Sequence, residues 1–204
     1  MYRYYRVEVE LTEKLLGTQP TDVKARELFE SREDEEVPVG PPPKLTFFRH
    51  EGKPVLFDYQ IKGFFKEAAC ALPEYLGVRG KVREYPSAAT IKGHMARWLF
   101  IRPRHFPLTD GDGVVKGDVD GFIEHPLRGM TRRGERVLLL ESDYIAEGSK
   151  IAFTVAVLEN CPITEEGIRM WLQYAEEGIG LLGWRTGGYG HFKVLGFAKV
   201  EKVG

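Results

Sequence analysis

Gly180-Leu-Leu-Gly-Trp-Arg-Thr-Gly-Gly-Tyr-Gly-His-Phe192 lies between two patterns of different period. Upstream, Ile168, Trp171, Leu172, Ala175, Ile179 and Leu182 recur at helical spacing. Thr164 stands where an N-cap belongs, and Glu165 and Glu166 fall in the first turn, where the helix dipole favours acids. Downstream, residues 191–201 read as a last strand. Ahead of the helix, Ile151–Leu158 is apolar on both faces, as in a central strand. The C-terminal quarter is thus strand, helix, glycine-rich loop, strand.

The N-terminal part repeats this alternation with longer interruptions. Over residues 2–12, Tyr5, Val7, Val9 and Leu11 fall on one face and Arg6, Glu8 and Glu10 on the other, which predicts a half-buried strand. Residues 45–58 read as a hairpin turning at Glu51-Gly52-Lys53. Asp58 is placed to cap a helix that buries Ile61, Phe64, Phe65, Ala68 and Leu72, and Pro73 and Gly77 mark its end. Strand-like sequence resumes at about 90–102, around Trp98-Leu-Phe-Ile101, and again at Arg136–Ser142, with the apolar run Val137–Leu140. Residues 18–56 and 103–135 look like insertions. Within the first, residues 18–43 are acidic in the middle and end in Val39-Gly-Pro-Pro-Pro43, which suits neither helix nor central strand; Thr21–Arg32 reads equally as a short surface helix or a loop. The second is rich in Gly, Pro and Asp. Without the insertions the order is strand, helix, strand, strand, helix, strand. That order predicts one α+β domain over 1–204 with a ferredoxin-like (RRM-like) βαββαβ core and a C-terminal glycine-rich loop. Helices near 60–74 and 164–181 should pack on one face of an antiparallel sheet containing the strands near 2–12 and 191–201.

Composition narrows the class. With 43% hydrophobic and 29% charged residues, 204 residues can bury a core without disulfides or metal. No apolar run approaches a membrane span, and the N-terminus lacks the apolar stretch of a signal peptide. Cys70 and Cys161 have no CxxC partner and read as buried small hydrophobes in a reducing, cytoplasmic setting. A net charge of −1 argues against coating nucleic acid by bulk attraction. The charge is uneven, however. Residues 22–36 hold seven acids and three bases, so the remainder carries 26 bases and 23 acids and leaves room for a basic groove.

The glycine-rich loop has the chemistry of a phosphate contact. Gly187, Gly188 and Gly190 allow close backbone approach and positive φ, and successive free N–H groups in such a loop form an anion-binding concavity. Arg185 adds a planar, bidentate donor for phosphate. Trp184 and Tyr189 offer faces for base stacking, and His191 adjoins them. It is not a Walker loop, since no Gly-Lys-Ser/Thr ending follows. The alternative is that these glycines only let a tight helix-to-strand connection pack, with Trp184 in the core.

Two stretches carry a family resemblance. Gly180–Phe192 resembles the Gly-Leu-Gly-Gly-Trp-Arg-Ser-x-Gly-Tyr-Gly-x-Phe loop of CRISPR-associated RAMP proteins, and it sits between the second helix and the last strand, as in that family. Phe57-Asp-Tyr-Gln-Ile-Lys-Gly-Phe-Phe-Lys66 is similar to the Pro-Gly-Ser-Ser-Leu-Lys-Gly-x-Leu-Arg segment that opens the family's first helix. Ile61, Lys62-Gly63, Phe65 and Lys66 match it, while Phe57, Asp58, Tyr59 and Gln60 depart from it. The resemblance is nearest to the backbone subunits of effector complexes, which bind guide RNA. It implies a subunit that grips single-stranded RNA by its phosphates, with other copies of itself or sister subunits as partners. Trp184, Arg185, the loop glycines, Tyr189 and His191 would form the main contact, supported by Lys62 and Lys66. Arg128, Arg132 and Arg133 of the basic run 127–136 fall where that family carries a hairpin thumb that contacts the guide–target duplex; a solvated hairpin tip is the other account. The resemblance implies that slicing would need an aspartate ahead of the Lys-Gly helix. Lys44-Leu-Thr-Phe-Phe-Arg49 has none, and Asp58 lies too close to the helix.

Other chemistry is thinner. Asp110, Asp112, Asp118 and Asp120 lack EF-hand spacing and read as residues of two hairpin turns, at Asp110-Gly111 and Asp112-Gly113, rather than as a cation site. The five histidines show no zinc spacing. No catalytic residue, metal or cofactor is assigned, and no membrane partner is expected. The runners-up are a metal-independent endoribonuclease of the repeat-processing type, using His50 with Tyr59 or His191, and a RAMP-fold assembly protein of a virus or prophage without RNA activity.

Overall fold

The alternation of residues 2–11 becomes β1 (Tyr2–Leu11), the strand on which the main sheet is built in the computed structural model. The structure describes residues 1–21, 44–75, 88–131 and 134–201. On one side of β1 lies β11 (Lys150–Leu158), antiparallel, in register from Tyr2↔Leu158 to Glu10↔Lys150. On the other side lies β12 (Phe192–Val200), antiparallel, with a register shift between Glu8 and Val9. β7 (Leu99–Arg102) pairs antiparallel with the far edge of β11, so the sheet order is β12-β1-β11-β7. The strands near 2–12 and 191–201 therefore share one antiparallel sheet, as expected.

Among the described residues, three helices supply the other half of the core: α1 (Asp58–Tyr75), α2 (Ala88–Trp98) and α3 (Glu165–Gly178). Tyr5, Val7, Val9 and Leu11 of β1 are buried in one cluster with Ile61, Phe64, Phe65 and Ala68 of α1, Ile91 and Met95 of α2, and Ile168, Leu172 and Ala175 of α3. Each large side chain in this cluster contributes roughly 1.5–3 kcal/mol by leaving water. Phe197 of β12 stacks on Tyr5 at 5.3 Å, and Arg169 of α3 covers the Phe197 ring at 4.1 Å. Thr164 caps α3 as expected, its side chain accepting from Gly167 N at 3.0 Å.

Two smaller sheets flank this core. In one, β10 (Gly134–Ile145) is central. It pairs with β9 (Gly121–Thr131) as a long antiparallel ribbon, with β2 (Leu15–Leu16), and in parallel with β4 (Lys44–Thr46), which in turn pairs with β3 (Gln19–Pro20). Lys44 holds the parallel join, 2.9 Å from Glu141 and 3.0 Å from Asp143, and those two carboxylates raise its pKa. The other sheet joins β5 (Phe48–His50), β6 (Lys53–Phe57) and β8 (His105–Pro107). The β5–β6 hairpin turns at Glu51-Gly52, both at positive φ, as the sequence predicts.

Several expectations are corrected. Residues 88–98 are helical, not strand: Ile91 and Met95, one turn apart, are buried against the core, and only Leu99–Arg102 is extended. Arg136–Ser142 lies outside the main sheet, because Val137 and Leu139 face solvent while Leu140 is buried. Asp58 is the first residue of α1 rather than its cap; the Gln60 side chain reaches back to Phe57 N at 2.8 Å, one half of a capping box. Only one tight turn forms at Asp110–Gly113, closed by Gly113 N to Asp110 O and by the Asp110 carboxylate, which accepts from Asp112 N and Val114 N. Cys161 is half-buried, near Arg3, rather than a core residue; Cys70 is buried.

Candidate nucleic-acid interface

The loop after α3 leaves the helix at Ile179 and closes on itself at its neck, where Leu181 N donates to Gly190 O at 2.8 Å. It is also pinned to the segment after β1: Gly190 N donates to Lys14 O at 2.8 Å, and Thr12 N to His191 O at 2.9 Å. A short 3-10 turn, Arg185–Gly187, fills the loop between Trp184 (φ 45°) and Gly188 (φ 85°). Gly190 is irreplaceable on two counts, a φ of 73° and a Cβ position 2.1 Å from Leu181 O.

This geometry changes the chemistry expected of the loop. The amides are not free: Gly187 N donates to Trp184 O at 2.9 Å, Gly188 N to Arg185 O at 3.0 Å, and Gly190 N to Lys14 O. An anion-binding nest of successive unpaired N–H groups is therefore not formed, because the turn and the strand connection use those donors. Trp184 is not an open stacking face either. It is the middle ring of three, 4.3 Å from His125 and 5.2 Å from Tyr189, both nearly parallel to it. Gly187 passes so close that a Cβ there would stand 2.8 Å from the indole. Tyr189 is the outer, half-buried ring of the stack.

His125 is a residue that sequence reasoning missed. It is 5% exposed, on the inner face of the β9–β10 ribbon, with Nε2 2.8 Å from Ser142 Oγ and Nδ1 unpartnered. Burial lowers its pKa below the ordinary 6.5. The signal was the alternation Ile123-Glu-His-Pro-Leu127, hidden inside a segment that reads as an insertion.

Arg185 forms an ion pair with Glu67 of α1, and both side chains are partly exposed. Phe64 of α1 packs edge-on against Phe192 at 5.5 Å. The two stretches singled out in the sequence, 57–66 and 180–192, thus meet through α1. Lys66 lies on the same helix as Glu67. Lys62 points elsewhere: its ammonium donates to Ala96 O at 3.0 Å and sits 4.7 Å over the Phe100 ring, and burial lowers its pKa, with Lys66 adding to the effect. Arg128 is a β9 residue opposite Val137; Arg132 and Arg133 lie outside the described residues.

The acids of 110–120 have separate roles. Asp118 binds Arg49, which lowers its pKa, and Asp120 accepts from Lys116 and from Ala146 N. Among the described residues, no three His, Cys, Asp or Glu side chains gather as metal ligands. No described helix is long and apolar enough to cross a membrane.

No protein-family model and no curated protein matches the sequence. Solved structures do. A chain in the cryo-EM structure of the type III-B Cmr-β complex bound to cognate target RNA aligns with a TM-score of 0.54 at 14% identity, covering 98% of this chain and 61% of that one. Oligomeric Cmr4 from Pyrococcus furiosus aligns with a TM-score of 0.42 at 10% identity, covering 98% of this chain and all of that one. This chain therefore spans about three fifths of the first neighbour's length. The mixed α+β fold observed here is similar to that of the chain in the RNA-bound type III-B Cmr-β complex.

Proposed function

We propose that this chain is an RNA-binding subunit of a CRISPR-type ribonucleoprotein, gripping single-stranded guide RNA by its phosphates from the side where α1 meets the glycine-rich loop. Cytoplasmic sister subunits or further copies of the chain are its partners. The observation that carries this reading is the junction of the two motifs, Arg185 on Glu67 and Phe64 on Phe192, which sets the loop arginine against α1. The ferredoxin-like core belongs to the same proposal. It is supported by the order β12-β1-β11-β7, with α1 and α2 between the first and second of these strands in the chain and α3 between the third and fourth. The fold shared with a subunit of an RNA-bound complex agrees with it.

The test is a filter-binding titration of a labelled single-stranded RNA at two salt concentrations. Arg185→Ala should weaken binding by about 1–2 kcal/mol and flatten the salt slope by about 0.7, one phosphate contact on a single strand. Wild-type protein that ignores RNA at low salt would end the reading.

One observation favours the endoribonuclease alternative. His50 of β5 and His105 of β8, far apart in the chain, bring their rings to 3.8 Å. Nearby, Tyr59 packs on Phe48 and Phe57 and is 54% exposed. A base and an acid are what 2′-hydroxyl attack requires. Incubation with labelled repeat RNA, with magnesium and with chelator, should leave the RNA intact; cleavage lost in both His50→Ala and His105→Ala would establish the enzyme instead.

A further inference from the structure

The face of the main sheet opposite the helices carries two rows of side chains set by strand register. Tyr4, Ala156 and Phe100 are paired across β1, β11 and β7, and so are Arg6, Thr154 and Arg102. Two residues along a strand separate the rows, about 6.6–6.8 Å. Around them the floor is small: Ala152, Thr154 and Ala156 on β11, Gly196 and Ala198 on β12. Tyr2 stands one row further along, meeting Phe100 edge-on at 5.8 Å and Tyr4 at 6.3 Å.

An antiparallel sheet facing water ordinarily presents mixed polar side chains on that side. This one presents aromatics beside arginines that lack carboxylates. Arg6, Arg102 and Arg104 are exposed and have no ion-pair partner among the described residues. Elsewhere the contrast is clear: Arg49, Arg169 and Arg185 each hold an acid. Arg102 and Arg104 also line, with Phe100, Thr154 and Asp58, a cleft of about 530 Å³ at the β7 edge. The acids at or beside the face are Glu8, next to Arg6 along β1, Glu10, which Lys193 neutralises at 2.8 Å, Asp58 at the cleft, and Glu159 and Glu201, which with Lys199 line the rim of the sheet beside Tyr2 and Tyr4.

We propose that this open face is a second contact for single-stranded RNA, with bases against Tyr2 and Tyr4 and phosphates on Arg6, Arg102 and Arg104. The occupant follows from the chemistry. Uncompensated guanidinium groups call for an anion, and rings beside them for flat π surfaces; a single RNA strand carries both in one repeating unit, whereas in a duplex the bases are stacked away. The inference rests on the RNA-binding reading, but it uses none of the loop residues.

The experiment is a fluorescence titration of wild-type protein, Arg185→Ala, Arg6→Gln/Arg102→Gln and Tyr2→Ala with a single-stranded RNA carrying 2-aminopurine, with the matching duplex as competitor and a melting curve for each protein. The arginine pair should bind at least about fivefold more weakly, with a salt slope shallower by about 1.4, while Arg6→Lys/Arg102→Lys keeps the slope. Tyr2→Ala should reduce the 2-aminopurine quenching that stacking produces. A folded Gln pair that binds like wild type while Arg185→Ala is weakened overturns this inference and leaves the RNA reading standing. Duplex competing as well as single strand overturns it too. Wild-type protein without RNA affinity removes both.

Discussion

Gly188 and Gly190 differ by two positions and by the reason each is glycine. At 188 a Cβ would meet nothing within 4 Å, and only the φ of 85° resists a side chain; at 190 the same kind of backbone is joined by a steric wall at Leu181 O. Gly188→Val should therefore cost about 1–3 kcal/mol of stability, the usual strain of a left-handed non-glycine residue, and Gly190→Val clearly more, with loss of the loop neck. Paired urea melts check the ranking; equal losses would contradict it. His125 gives a residue-scale pH prediction. Its pKa is lowered in the fold, so the unfolded chain binds the proton more readily. Its contribution to stability is full above the unfolded value of about 6.5 and is lost as pH falls through the folded value. Wild-type protein should lose melting temperature between pH 7.5 and 5.5, and His125→Phe, which keeps a ring on Trp184, should lose less.

At the scale of elements, caps and faces decide what forms. α3 is bounded by Thr164, and Thr164→Ala should cost about 1 kcal/mol by orphaning the Gly167 amide, measurable by thermal melting. The exposed Arg169–Glu165 pair on the same helix should be worth well under that, about 0.3–0.5 kcal/mol. α2 was hidden for a physical reason. Its buried positions, Ile91 and Met95, are sparse and interrupted by Gly93, whereas the dense Trp98-Leu-Phe-Ile run beside it dominates any local reading. The β9–β10 ribbon was hidden by the opposite fault. Val137–Leu140 looks like a core strand because four apolar residues adjoin, yet only alternate ones can point inward, and Val137 and Leu139 remain more than half exposed.

The whole molecule joins parts that are remote in the chain, and the Glu67–Arg185 pair is the clearest case. Because Glu67 competes with any phosphate for the guanidinium, Glu67→Gln should tighten single-stranded RNA binding slightly, by up to about 1 kcal/mol at low salt, without changing the melting temperature by more than an exposed pair is worth. A lowered melting temperature with unchanged binding would assign Arg185 to packing. The amino-acid sequence by itself determined β1, α1, α3, the strand that follows the glycine-rich loop, and the loop's position, because each has a strong local period or a run of glycines that few backbones accept. Tertiary structure alone decided that the Gly190 amide is taken by Lys14 O, that Trp184 lies under His125, that Arg185 is held by Glu67, and that Arg6 and Arg102 share a row. Each of these depends on which strands become neighbours and in what register, and that is settled by burying the shared core rather than by any one segment's own pattern.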